Sequence, residues 1–170
     1  MKHLKKQKGG ISNDEKLLIK YAKEGNTIMV RDLLEKGVKV LRDDGKDGST
    51  ALITAIENNH TEIAKMILEK DPWPWPYNGW DDQLFYGNTA LIAASIQGNT
   101  EIVKLLLEKG ADVNKKNNYG NTALMYSNHP DNKEILLLLL EHGADVNAKN
   151  NDGDTALANP SIENDTEIVS

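Results

Sequence analysis

The chain has 170 residues, is 39% apolar, carries a net charge of −6 and contains no cysteine. That length fits one domain and excludes a multidomain enzyme, while the missing cysteine excludes a disulfide scaffold, a thiolate nucleophile and a cysteine-based zinc site. The acidic balance excludes a broad attraction to nucleic acid or anionic lipid. No apolar run approaches the roughly 20 residues that span a bilayer, and no apolar signal core follows the lysine-rich start. The expectation is a soluble, non-secreted protein of the cytoplasm, with delivery into a host cell as the other location open to it.

The elements recur. Gly87-Asn-Thr-Ala-Leu returns as Gly120-Asn-Thr-Ala-Leu, with related forms at Gly48 and Gly153. The threonines Thr50, Thr89, Thr122 and Thr155 are 39, 33 and 33 residues apart. A second marker, Glu-x-Gly at Glu35, Glu108 and Glu141, has its counterpart at Glu69 and gives the same base period of 33. Both markers place six extra residues between Glu69 and Thr89. A period of this size means stacked units, because one short helix pair cannot bury its apolar face alone.

In chain order, residues 1–12 form a basic tail without amphipathic spacing, expected to be disordered and solvated. Ser12 and Glu15 are spaced as a capping box that opens a first unit over 13–46. Its exposed Lys16, Lys20, Lys23 and Glu24 suit a terminal cap. The second unit covers 47–85 and ends in a finger over 71–85, Asp71-Pro-Trp-Pro-Trp-Pro-Tyr-Asn-Gly-Trp. Six of the nine aromatic residues lie between Trp73 and Tyr86. Alternating proline forbids helix there and presets an extended backbone. Two readings of this finger stand: a partner-binding loop, or tryptophans folded back over their own repeats.

The third unit, 86–118, predicts a helix capped by Thr89, carrying Leu91, Ala94 and Ser95, and stopped by Gly98. Gly25, Asn59, Asp131 and Asn164 hold the corresponding stop. A second helix presents Ile102, Leu105 and Leu106, widened by Val103 and Leu107. Ile63, Met66 and Ile67, and Ile135, Leu138 and Leu139, repeat that face. The fourth unit covers 119–151, and a partial fifth, 152–170, has Pro160 inside its first helix, where it is disfavoured.

These residues resemble ankyrin repeats: Gly87-Asn-Thr-Ala-Leu-Ile-Ala-Ala-Ser-Ile-Gln-Gly-Asn-Thr-Glu-Ile-Val-Lys-Leu-Leu-Leu-Glu-Lys-Gly-Ala-Asp-Val-Asn follows the pattern almost throughout. The resemblance covers residues 13–170 and implies an all-α solenoid of helix-turn-helix units joined by β-hairpin-like connectors. The usual Thr-Pro-Leu-His reads Thr-Ala-Leu followed by Ile53, Ile92, Met125 or Ala158, a variant similar to bacterial members. Without the histidine, the bonds that normally tie the turn between repeats are expected to be missing.

The resemblance also implies binding rather than chemistry: hairpin tips and first helices form a concave face that grips a protein partner. Carried over, the tips hold Phe85, Tyr86 and Asn88, then Asn118, Tyr119 and Asn121, with Lys46, Asp47, Ser49, Asn151 and Asp152 at the edges. The helix ends add Glu57, Asn58, Ile96, Gln97, His129 and Pro130. With the finger's Trp73, Trp75, Tyr77 and Trp80, this places aromatic anchors inside a polar rim, the distribution of a protein interface.

Catalytic readings find no support. His60 stands where Asn26, Asn99, Asn132 and Asp165 stand in other units, so a helix cap explains it. His142 suits a helix C-terminus. His129, Asp131 and His142 match no metal-ligand spacing. The run Asp43-Asp-Gly-Lys-Asp-Gly48 fails as a calcium loop, because Thr54 stands where a bidentate Glu is required. No enzyme, cofactor or metal is expected, and no nucleic-acid or membrane partner. The expected function is an adaptor, scaffold or inhibitor for a protein of unknown identity, acting as a monomer or weak homo-oligomer. The alternative is a structural array that self-associates through its incomplete C-terminal repeat, using Ile162, Ile168 and Val169.

Overall fold

The computed structural model describes residues 12–38, 40, 51–70 and 88–158. The basic tail, the finger over 71–85, Tyr86, and Pro160 with the rest of the fifth unit lie outside the described residues.

Ser12 opens helix α1 (Asn13–Glu24) with the expected capping box. Its hydroxyl accepts the Glu15 N–H at 3.2 Å, and the Glu15 carboxylate accepts the Ser12 N–H at 2.8 Å. Gly25 ends the helix at φ 73°, a backbone that costs a side chain energy and glycine little. Helix α2 (Thr27–Glu35) starts at once, because Asn26 Oδ1 accepts the Met29 N–H. The same punctuation joins α3 (Ala51–Glu57) to α4 (Thr61–Lys70), and α5 (Ala90–Ile96) to α6 (Thr100–Glu108). Asn59 (φ 62°) and Gly98 (φ 67°) supply the left-handed stops. Thr89 caps α5 through the Ile92 N–H, as its position predicts.

The fourth unit departs from this pattern. Helix α7 (Ala123–Tyr126) has only four residues, a 3-10 turn follows over Pro130–Asn132, and α8 (Lys133–Glu141) completes the pair. Pro130 is the cause: its ring drives the preceding His129 into extended backbone (φ −77°, ψ 140°), so a helix cannot run through. The left-handed stop expected at Asp131 is therefore replaced by a turn. Of the fifth unit's first helix, the described part is a 3-10 turn over Ala156–Ala158.

The helices stack in two rows. Helices α1, α3, α5, α7 and the last turn follow one another in the first, and α2, α4, α6 and α8 in the second. First-row helices are narrow and enclosed: all of Ala51–Ile56 and all of Ala90–Ser95 are buried. Ser95 is tolerated there because its hydroxyl donates to Leu91 O at 2.8 Å. Second-row helices bury most of the expected face, turned toward one side of it. In α6 it is Ile102, Val103, Leu106 and Leu107, with Leu105 only partly buried, as are Met66 and Leu138. Among the described residues each such helix packs on its own partner and on its row neighbours, two for α4 and α6 and one for α2 and α8. All the buried apolar side chains form one continuous core, each large member stabilising by about 1.5–3 kcal/mol.

Asparagine takes over the role of the missing histidine. Asn117 Oδ1 accepts the Tyr119 and Asn121 N–H groups at 3.0 and 2.9 Å. Its Nδ2 donates to Asn88 Oδ1 and Tyr126 Oη at 2.9 and 3.0 Å. Asn150 repeats the turn one period later, accepting the Asp152 and Asp154 N–H groups. Asn114 ties successive connectors by donating to Gly143 O at 3.1 Å and accepting the Asp145 N–H at 2.8 Å. Among the described residues the connectors hold isolated bridges rather than strands: Lys149 pairs antiparallel with Thr155, and Asn88 is a bridge residue as well. They are built from asparagine turns, which local side-chain bonding favours over a ladder.

His60 does not act as the expected side-chain cap. Its Nε2 lies 3.1 Å from Lys23 O, one unit back. A Cβ on Gly25 would stand 2.6 Å from His60 Cε1. Asn99 does both jobs, capping α6 at Ile102 and donating to Thr61 Oγ1 at 2.7 Å in the unit before. His142 meets its expectation at the end of α8, with Nδ1 2.8 Å from Leu138 O.

Candidate protein-binding surface

The residues expected to meet a partner fall on two levels of the first row. Asn88, Tyr119 and Asn121 lie in the connectors, before the first-row helices begin. Ile96 is the last residue of α5, and His129 lies past the C-terminal end of α7. A seven-residue helix such as α5 separates the levels by roughly 10 Å. On the connector level Asn88 and Asn121 are committed internally, the first to Asn117 and the second to Tyr126 Oη at 3.0 Å. Tyr119 remains 49% exposed. The next connector holds it in place, since Asn151 donates its N–H to Tyr119 O and its Nδ2 to Asn118 O, both at 2.9 Å.

On the helix-end level, Ile96 is 44% exposed. Gln97 beside it donates to Glu57 O at 3.3 Å, joining the ends of α3 and α5. Desolvation raises the Glu57 carboxyl above its ordinary pKa although the residue as a whole is exposed. His129 Nδ1 is 3.1 Å from the Asp131 carboxylate and 3.4 Å from the Asp131 N–H. His129 is thus held against Asp131 by side chain and backbone together. Trp73, Trp75, Tyr77, Trp80, Phe85 and Tyr86 lie outside the described residues.

Sequence reasoning missed one feature. Where α7 stops short, a cleft of about 400 Å3 opens between it and the following connector. Met125, Tyr126 and Asn128 line one wall, and Asn150, Asp154 and Thr155 the other. Asn128 is buried and its Nδ2 donates to Ala156 O, while its Oδ1 is buried without a donor. The only sequence signal is Pro130, which removes the turn that Ser95 and Ile96 complete in α5. Among the described residues no helix is long and apolar enough to cross a membrane.

A family model described as ankyrin repeats (3 copies) matches residues 1–75 and 76–150. No curated protein matches the chain. Ankyrin repeats are in general protein–protein interaction modules and typically non-catalytic. Two rows of short helices at a 33-residue period, and a family match over most of the 170 residues, lead to one conclusion: this chain belongs to the ankyrin-repeat family.

Proposed function

We propose that this protein is a non-catalytic adaptor, scaffold or inhibitor that binds a protein partner through its first-row helices, connector tips and Pro/Trp-rich finger. The observation that carries the reading is the exposure of Ile96 (44%) and Tyr119 (49%) on otherwise polar levels of the first row. A rigid aromatic anchor among polar neighbours is the usual composition of an interface centre. The finger joins the proposal through its sequence alone: prolines lower the entropy lost when Trp73, Trp75 and Trp80 are held against a partner.

The test is affinity capture from the native lysate by wild type, Ile96→Asp/Tyr119→Ala and Trp73→Ala/Trp75→Ala/Trp80→Ala, with circular dichroism verifying equal helicity. A protein retained by wild type and lost by the first variant is the expected outcome. Loss by the second adds the finger to the interface. Equal retention by wild type and both variants overturns this surface.

A second reading, self-association through the C-terminal end, rests on Leu157. The leucine of each Thr-Ala-Leu is 2% exposed at Leu52, Leu91 and Leu124, yet Leu157 is 47% exposed. Leu137 of α8 is 48% exposed where Arg31, Lys65 and Lys104 stand in earlier units. A sedimentation mass that rises with concentration for wild type, and not for Leu157→Asp, would establish it.

A further inference from the structure

We infer that copies of this chain associate head to tail, with Leu137 of α8 on one copy seated against Ile28 of α2 on the next. The inference rests on the self-association reading and deepens it by naming the face that the C-terminal end meets. Six large apolar or aromatic side chains are exposed among the described residues. Ile96 and Tyr119 belong to the proposed partner surface. The other four are Leu17 (37%) and Ile28 (77%) in the first unit, and Leu137 (48%) and Leu157 (47%) in α8 and the last turn. Terminal units of a solenoid normally turn polar faces outward, so apolar side chains gathered at the first and last described elements call for a cover.

The junction between α4 and α6 identifies that cover. There Lys65 reaches forward to Glu101 of the next unit at 2.8 Å. The repeat register carries both positions along the second row. The forward position holds Arg31, Lys65, Lys104 and Leu137, and the rear position holds Ile28, Glu62, Glu101 and Glu134, both sets spaced 34, 39 and 33 residues apart. Within the chain a basic forward residue therefore stands opposite an acidic rear residue at every junction in register. Only the outermost members differ, and both change in the same sense, from charged to aliphatic. Alone, the change at position 28 is unfavourable: a glutamate in the first turn is favoured by the helix dipole, and an exposed isoleucine forgoes that. Brought together across two copies, the two changes form a matched apolar pair at the place where the chain itself uses an ionic one. The match also selects among occupants. Glu167 stands 33 residues after Glu134, so the chain's own next residue in register would set a carboxylate against Leu137, which is costly to desolvate. Two C-terminal ends in contact would set a forward position against another forward position, a pairing that the row does not use. Head and tail are different faces, so the contact is heterologous and adds copies in series.

The test is sedimentation of the full chain over a concentration series, for wild type, Ile28→Glu, Leu137→Lys and an equimolar mixture of the two variants. Both substitutions place the charge of the inner units at an exposed site, so the fold is kept, and circular dichroism verifies it. The wild-type mass should rise with concentration. Each variant alone sets a charge against an aliphatic side chain and should associate about tenfold more weakly. The mixture should form pairs with wild-type affinity, because the unchanged Leu137 of one variant then meets the unchanged Ile28 of the other. If Ile28→Glu associates like wild type, the head-to-tail contact is overturned while self-association through the C-terminal end stands. Wild-type association of Leu137→Lys, or a mixture no stronger than its components, also overturns the contact. A wild-type mass independent of concentration overturns both readings, and means that the two faces are covered within one copy or by a different protein.

Discussion

At the residue scale, stacking is decided by a few positions where one unit touches the next. Gly25 combines φ 73° with a missing Cβ that would stand 2.6 Å from the His60 ring. Gly143 has φ 86° and nothing within 4 Å of the same point. Gly143→Ala therefore measures backbone strain alone, roughly 1–2 kcal/mol. Gly25→Ala adds the displacement of His60 and its bond to Lys23 O, for a total of roughly 2–4 kcal/mol. Urea midpoints of the two variants should differ accordingly. Adding His60→Ala to Gly25→Ala should recover part of the difference, and a purely additive pair would refute the contact. His60 shows how a residue can be placed by register and still be misread. The repeat alignment puts it at a cap position, but only the fold shows that its ring reaches backward.

At the element scale, second-row helices are held side by side partly by charge. Lys65 of α4 pairs with Glu101 of α6 at 2.8 Å. The hydrogen bond to Glu101, and then its charge, raises the Lys65 pKa above its ordinary 10.5. A raised lysine binds its proton more tightly in the folded chain. Its stabilising share is thus complete below the ordinary value and is lost as pH climbs through the raised one. Thermal melts above pH 10.5 should fall more steeply with pH for wild type than for Glu101→Gln, and the two should converge at the alkaline end. Parallel curves would mean that the pair contributes nothing to folding. Position 104 keeps a lysine but forms no ion pair among the described residues, whereas position 137 replaces it with leucine, so charge gives way to apolar surface toward the C-terminal end of the row.

At the scale of the whole molecule, the core is one continuous cluster built from nearest-neighbour contacts. Truncating a central member should therefore be costly and truncating the end member cheap. Leu91→Ala is expected to cost about 2–5 kcal/mol and Leu157→Ala under about 1 kcal/mol, measured by urea denaturation under one set of conditions. Equal costs would mean that Leu157 is covered in solution, which would favour self-association. Most of this architecture was legible in the sequence, because a 33-residue period with Thr, Gly and Glu markers locates the inner helix pairs, and the Ser12 and Glu15 capping box locates α1. Three things were not. The turn of the buried stripe in α4, α6 and α8 is set by packing on other helices, which periodicity within one helix does not encode. The asparagine ties of Asn114, Asn117 and Asn150 are long-range in effect but ordinary as turn residues. Pro130 was visible, yet its consequence, a cleft flanked by Asn128 and Asp154, needs the next unit in place.

The side-chain hydrogen bonds between units join residues only 28–40 positions apart. Among the described residues no such bond reaches from the first unit to the last, so tension applied across them meets no single latch to break. Held between two tethers, the protein should yield as a series of small rips, each releasing about one unit, rather than as one large event. A partner that bridges several units would act as a splint, and its presence should be readable as the merging of those rips into one.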